Sequence, residues 1–149
     1  MADKTSSAGF SDAEKAAMKQ RAQELKAEAK AGANREKGLE AIQKVIEAMT
    51  PADRRIAEAF HAIVTENAPH LMPKTWYGFP AYANADGKVV TFFKEAGRFD
   101  DRYATIGFES AAALDAGGMW PTSYAVVDFT PADQKTIAAL VTTAATPAS

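Results

Sequence analysis

The chain has no cysteine, which excludes disulfides, thiolate nucleophiles and cysteine-ligated zinc or iron–sulfur clusters. It has almost no net charge: 17 basic against 19 acidic residues leave −2, so no whole-protein field draws it to nucleic acid or to an anionic membrane. The basic residues between Lys94 and Arg102 are interrupted by Glu95, Asp100 and Asp101 and make no nucleic-acid groove. No apolar run approaches the roughly 20 residues that a membrane-spanning helix requires. Met1 to Phe10 also lack the apolar stretch of a secretory signal. These absences predict a cytoplasmic protein with neither a nucleic-acid nor a membrane partner. What remains is 149 residues, enough to bury roughly 68–70% of the unfolded surface around one core. Aromatic residues make up only 9% of the chain, yet they are concentrated in Trp76-Tyr77-Gly78-Phe79-Pro80-Ala81-Tyr82 and the segments that follow.

The order of patterns predicts an α+β domain, a small antiparallel sheet packed against helices, with an extra N-terminal helical arm. Ser11 and Glu14 read as a capping box that starts a helix at Asp12 and runs it to Lys30. Its large apolar residues are Met18 and Leu25, a thin face expected to dock weakly or to serve as a dimer-forming arm. After a break at Ala31-Gly32-Ala33-Asn34, the residues Leu39, Ile42, Val45, Ile46 and Met49 form a core-facing helical stripe. Thr50-Pro51-Ala52-Asp53 supplies an N-cap, a proline at the first helical position and an acid near the positive helix end. The helix it opens carries Ile56, Phe60, Ile63 and Val64.

From Thr75 to Tyr82 the pattern reads as one strand, with Pro80 placing it at an edge or at a bulge. Asp86-Gly87 reads as a hairpin turn into Lys88–Phe93, and further strands are expected at Arg102–Phe108 and Ser123–Phe129. Ser110 to Asp115 reads as a short helix stopped by Gly117-Gly118. Thr130-Pro131-Ala132-Asp133 repeats the earlier cap and opens a last helix with Ile137, Leu140 and Val141. The expected divisions are an arm over residues 1–33, an α+β domain over 34–145 and a loose tail over 146–149.

The chemistry-bearing residues are sparse. His61 and His70 titrate nearest to neutrality, but they have no third ligand at a metal spacing and are expected on the surface. Gly107, Gly117 and Gly118 do not build a phosphate loop, and Ser110 and Ser123 are not set in a nucleophile elbow. The expectation is a protein that is not an enzyme. A cleft lined by Trp76, Tyr77, Phe79, Tyr82, Tyr103 and Trp120, with Lys74 and Arg102 at its edge, is the expected site for a small molecule or a peptide. The acids Asp100, Asp101 and Glu109 form the alternative metal site, since hard cations and Fe²⁺ accept carboxylate oxygen.

Trp76 to Tyr82, the glycine turn, Lys88 to Phe93 and Met119-Trp120-Pro121 together resemble the YdhG-like family, also catalogued as DUF1801, over roughly Ala41 to Ala145. That family opens its sheet with a tyrosine-glycine-methionine-proline-alanine-phenylalanine motif. Tyr77-Gly78-Phe79-Pro80-Ala81-Tyr82 matches it with bulky or aromatic replacements at two places. The resemblance implies a frataxin-like fold and a small accessory protein. For one branch it implies an intracellular iron chaperone, which makes Fe²⁺ the alternative cargo where no resident cofactor is otherwise expected. A frataxin-like iron surface uses a ridge of acids on a helix; the helix from Arg35 to Met49 offers Glu36, Glu40 and Glu47, interrupted by Lys37 and Lys44. The partners expected are a small molecule or a protein, with a weak homodimer through the N-terminal helix or the sheet aromatics as a further expectation.

Overall fold

The computed structural model describes residues 9–31 and 34–147; residues 1–8, 32–33 and 148–149, with most of the expected leading tail and part of the loose end, lie outside the described residues. The elements run α1 (Asp12–Ala31), α2 (Arg35–Glu47), α3 (Pro51–Asn67), β1 (Met72–Trp76), β2 (Phe79–Ala83), β3 (Val89–Lys94), a 3-10 turn (Gly97–Phe99), β4 (Ala104–Phe108), β5 (Ser123–Val126) and α4 (Pro131–Ala144). The five strands form one antiparallel sheet in sequence order, so every connection is local. This is the α+β architecture that the patterning predicts.

The helix starts follow from their caps. Asn34 Oδ1 accepts the amide of Lys37 at 3.1 Å to open α2. Thr50 Oγ1 accepts the amide of Asp53 to open α3. Thr130 and Asp133 form a reciprocal capping box on α4. Behind these caps most of each predicted stripe is buried: Ile42 and Ile46 from α2 with Met49 just beyond its end, Ile56, Phe60, Ile63 and Val64 from α3, and Ile137 and Val141 from α4. They cover the sheet face that carries Tyr82, Phe93, Ile106, Phe108 and Val126. Each large apolar side chain fully buried there contributes roughly 1.5–3 kcal/mol relative to exposure. α2 lies so close to β1 that a Cβ added to Gly38 would run into the carbonyl oxygen of Pro73.

The register fixes which residues share a face, because partners directly opposite one another point the same way. Tyr82 pairs with Thr91, Thr91 with Phe108 and Phe93 with Ile106, on the helix-covered side. Trp76 pairs with Phe79, Ala81 with Phe92 and Phe92 with Gly107, on the other side. There Trp76, Phe79 and Phe92 pack ring against ring at centroid distances of 5.4 to 5.8 Å.

Three sequence expectations are corrected. The stretch read as one strand from Thr75 to Tyr82 is two strands, β1 and β2, joined by a tight turn at Tyr77-Gly78. Both turn residues have positive φ, 54° and 82°, a conformation that glycine adopts freely and that makes the two-residue reversal. Pro80 then sits within β2, opposite Thr75. Residues 110 to 115 form turns and no helix, because the alanine-rich segment is too short to nucleate one.

The third correction concerns α1. Its apolar residues Met18 and Leu25 are exposed, at 43% and 52%, and its docking face is polar except for the buried Ala17. Glu24 accepts the amides of Tyr77 and Gly78, each at 3.0 Å, and is held in turn by Arg21 at 3.3 Å. Gln20 Oε1 accepts from the guanidinium of Arg98. The positive-φ turn aims two amides at one point, and a carboxylate fills it. Glu24→Ala is therefore expected to release α1, raising amide exchange at Tyr77 and Gly78 and exposing Asp12–Ala31 to protease. Leu25→Ala is expected to change stability by no more than about 0.5 kcal/mol. Equal effects of the two changes would refute the polar clasp.

Candidate functional site

The two TPAD caps are used differently. At Thr130 the acid turns back on its own cap: Asp133 Oδ2 accepts the amide of Thr130 at 3.2 Å. At Thr50 the acid turns inward. Asp53 is 5% exposed, and its carboxylate accepts the Thr50 hydroxyl at 3.0 Å, the Ala96 amide at 3.2 Å and the Gly97 amide at 2.9 Å. It ties the first turn of α3 to the loop that leaves β3.

That loop carries the residue that defines the site. Strand alternation puts Thr91 and Phe93 on the helix-covered face, and one more step of the same period carries Glu95 inward just beyond the end of β3. Glu95 is 6% exposed, and its Oε1 is buried without a hydrogen-bond partner. Burial pushes its carboxyl above the usual carboxylate range. Its own backbone amide, Arg98 and Lys94 oppose the rise, and the nearby Asp53 charge adds to it. A buried, unpaired acid of this kind costs stability and is uncommon outside functional sites.

Glu95 and Asp53 line a cavity of about 380 Å³. Val45 of α2, with Ala48 and Met49 just after it, supplies an apolar wall, while Gln20 of α1 and Arg98 of the 3-10 turn supply polar groups. Arg98 donates to the carbonyl oxygen of Tyr77 at 3.2 Å and to Gln20, and its guanidinium carbon lies 4.9 Å from the centre of the Phe99 ring. The cavity thus combines one acid already held by three donors, one acid with a spare oxygen, one guanidinium and an aliphatic surface. Such a lining has the chemistry to accommodate a small polar molecule with an apolar part.

The structure does not gather the predicted aromatic residues into one cleft. Trp76, Tyr77 and Phe79 form a cluster with Phe92 and Phe99 on the outer face and its turn. Tyr82 lies on the opposite face, in the core, edge-on to Phe60 and hydrogen-bonded to His61 Nδ1 at 2.8 Å. Trp120 lines a separate depression of about 630 Å³ with Phe108, Glu109 and Asp115. Tyr103 lies under Arg102 just before β4, 5.2 Å from guanidinium carbon to ring centre. Lys74 lines a groove of about 400 Å³ at the β1 edge with Glu24, Gly38 and Met72.

The alternative metal residues are likewise apart. Asp100 and Asp101 are exposed in the turn before β4, and Glu109 follows β4, which spans roughly 17 Å at about 3.3 Å per residue. Among the described residues no group of three or more His, Asp or Glu side chains converges as a metal site. No helix among them is long and apolar enough to cross a membrane. His61, expected on the surface, is half-buried; burial lowers its affinity for a proton and leaves the neutral ring to pair with the Tyr82 phenol. His70, exposed as expected, reaches the Ala145 carbonyl oxygen at 2.7 Å.

Sequence reasoning missed Asp53 and Glu95 as a pair. The signal for Asp53 was its identity with Asp133, which hid the difference in use; the signal for Glu95 was an acid at an inward strand position. Asp53→Ala is expected to destabilise the fold by about 2–4 kcal/mol in urea unfolding, because it strands two buried amides. Asp133→Ala, at the same place in the same motif, is expected to cost no more than about 1 kcal/mol. Comparable losses would contradict the assignment of Asp53 as an inter-element tie.

No family model matches this chain, and no curated protein and no solved structure matches it significantly.

Proposed function

We propose that this protein is a non-enzymatic, YdhG-like binding protein that takes a small molecule in the cavity beneath Arg98. The observation that carries the reading is the buried, unpartnered Oε1 of Glu95 beside an open volume of about 380 Å³. A folded protein seldom leaves such a group unsatisfied, and a ligand bearing a hydrogen-bond donor would satisfy it. Asp53 is taken up by the Thr50 hydroxyl and by two backbone amides, so the pair offers one available carboxyl and not two. General acid–base catalysis most often divides its work between two groups poised against the substrate. One carboxyl with an apolar wall suits recognition better.

The iron reading would rest on Asp100, Asp101 and Glu109, whose separation along β4 gives Fe²⁺ no common centre. The α2 acids Glu36, Glu40 and Glu47 are exposed and alternate with Lys37 and Lys44, which offsets their charge. Small-molecule binding at Glu95 is accordingly the function the geometry supports best.

The test is a fragment screen against the ¹⁵N-labelled protein. Saturable shifts are expected at Met49, Glu95, Ala96 and Gly97, and Glu95→Leu is expected to abolish them while leaving the remaining spectrum folded. Hits that shift only the outer aromatic cluster at Trp76 and Phe92, or only the Trp120 depression, would overturn the assignment to this cavity.

A further inference from the structure

The geometry points to a small zwitterion with an aliphatic body, such as a free amino acid, as the occupant of the cavity: its ammonium faces Glu95, its carboxylate faces Arg98, and its side chain lies along Val45, Ala48 and Met49. The inference rests on the ligand-binding reading of this cavity and adds the chemistry of the ligand.

Three features of the lining carry it. Glu95 lines the cavity and has a buried carboxyl oxygen with no donor, and an ammonium supplies three. Arg98 presents a guanidinium of which two N–H groups are engaged, with the Tyr77 carbonyl and Gln20, out of the five it carries. Those bonds and the stacking on Phe99 hold its plane in place, which leaves donors pre-oriented for a carboxylate. Between the two polar ends the wall is aliphatic, so the body of the ligand replaces water against Val45, Ala48 and Met49.

The same features argue against simpler ligands. A purely cationic amine would satisfy Glu95 but meet Arg98 as a like charge. A purely anionic ligand would pair with Arg98 but face both Glu95 and the Asp53 charge. A divalent metal ion wants six or more oxygens, and the Asp53 oxygens are already occupied by donors. Only a ligand carrying both signs matches both ends.

Binding is also coupled to a proton. Burial favours the protonated Glu95 in the free protein, against the pull of Arg98 and Lys94 and with the push of Asp53. An ammonium placed against it favours the ionised form. The proton leaves Glu95 for solvent, and the ligand's own ammonium keeps its three hydrogens.

The experiment titrates the full chain with leucine, leucinamide and N-acetylleucine, following the amides of Met49, Glu95 and Gly97 by NMR and the heat of binding in two buffers of different ionisation enthalpy. Leucine is expected to bind at least tenfold more tightly than either capped form. It is also expected to release a fraction of a proton below neutral pH. Glu95→Gln is expected to abolish the proton release and bring leucine and N-acetylleucine within about twofold of each other. Leucinamide equal to leucine would show that Arg98 does not read a carboxylate, and N-acetylleucine equal to leucine in the unaltered protein would show that Glu95 does not read an ammonium; either result overturns the inference. If none of the three binds while neutral fragments still shift these amides, the zwitterion is wrong and the cavity remains a binding site. If nothing shifts them, both readings fall.

Discussion

The carboxylate of Asp53 is the constraint on which the site depends. It joins two parts of the chain 43 and 44 residues apart, the start of α3 and the loop after β3, through one side-chain donor and two backbone donors. Charge-assisted bonds to backbone amides are among the stronger polar contacts a fold can make. By fixing Ala96 and Gly97 they set the direction in which the chain leaves β3. That direction follows the inward step of Glu95 and carries Arg98 back to the Tyr77-Gly78 turn.

The second acid follows from the first. With the Ala96 and Gly97 amides taken by Asp53, Glu95 is left buried with an oxygen that no donor reaches. One carboxylate organises the backbone and the other is available. The arm α1 completes the arrangement by a polar route: Glu24 binds the turn amides and Gln20 holds Arg98. Its exposed Met18 and Leu25 take no part in that docking. The cavity therefore lies where α1, α2, the start of α3 and the β3 exit meet, and each element contributes a different chemical character to its lining.

Much of the fold was legible because it rests on local rules. Caps at Ser11, Thr50 and Thr130 are read from spacing alone and recur as helix starts, and stripes such as Ile42–Ile46 and Ile56–Phe60–Ile63 recur as buried faces. The strand boundaries near Trp76 were harder. Aromatic enrichment extends across Tyr77-Gly78 without interruption, while the reversal there is made by backbone conformation. The site was not legible. Asp53 and Asp133 stand in identical tetrapeptides, and only the tertiary neighbour of the first, the loop at Ala96-Gly97, turns it from a helix cap into a tie. Tyr82 and Trp76 were expected to share a cleft, but the two-residue turn sets the parity of β2 against β1 and places them on opposite faces. His61 pointed to the surface by its polarity and was drawn inward by the Tyr82 phenol, a contact across 21 residues.

The central claim is that Glu95 is a buried carboxyl with one oxygen that no donor reaches, and its titration tests this most directly. Following the side-chain carboxyl ¹³C of Glu95 with pH, the account predicts a midpoint above the ordinary glutamate value of 4.5, because burial disfavours the charge. A raised folded-state pKa means that the native protein holds this proton longer than the unfolded chain does. The stability it contributes is full below about pH 4.5 and is lost as pH rises through the folded midpoint, and Glu95→Gln removes that loss. A midpoint at or below the ordinary value would show that Glu95 is solvated or paired, and would contradict the account of the cavity.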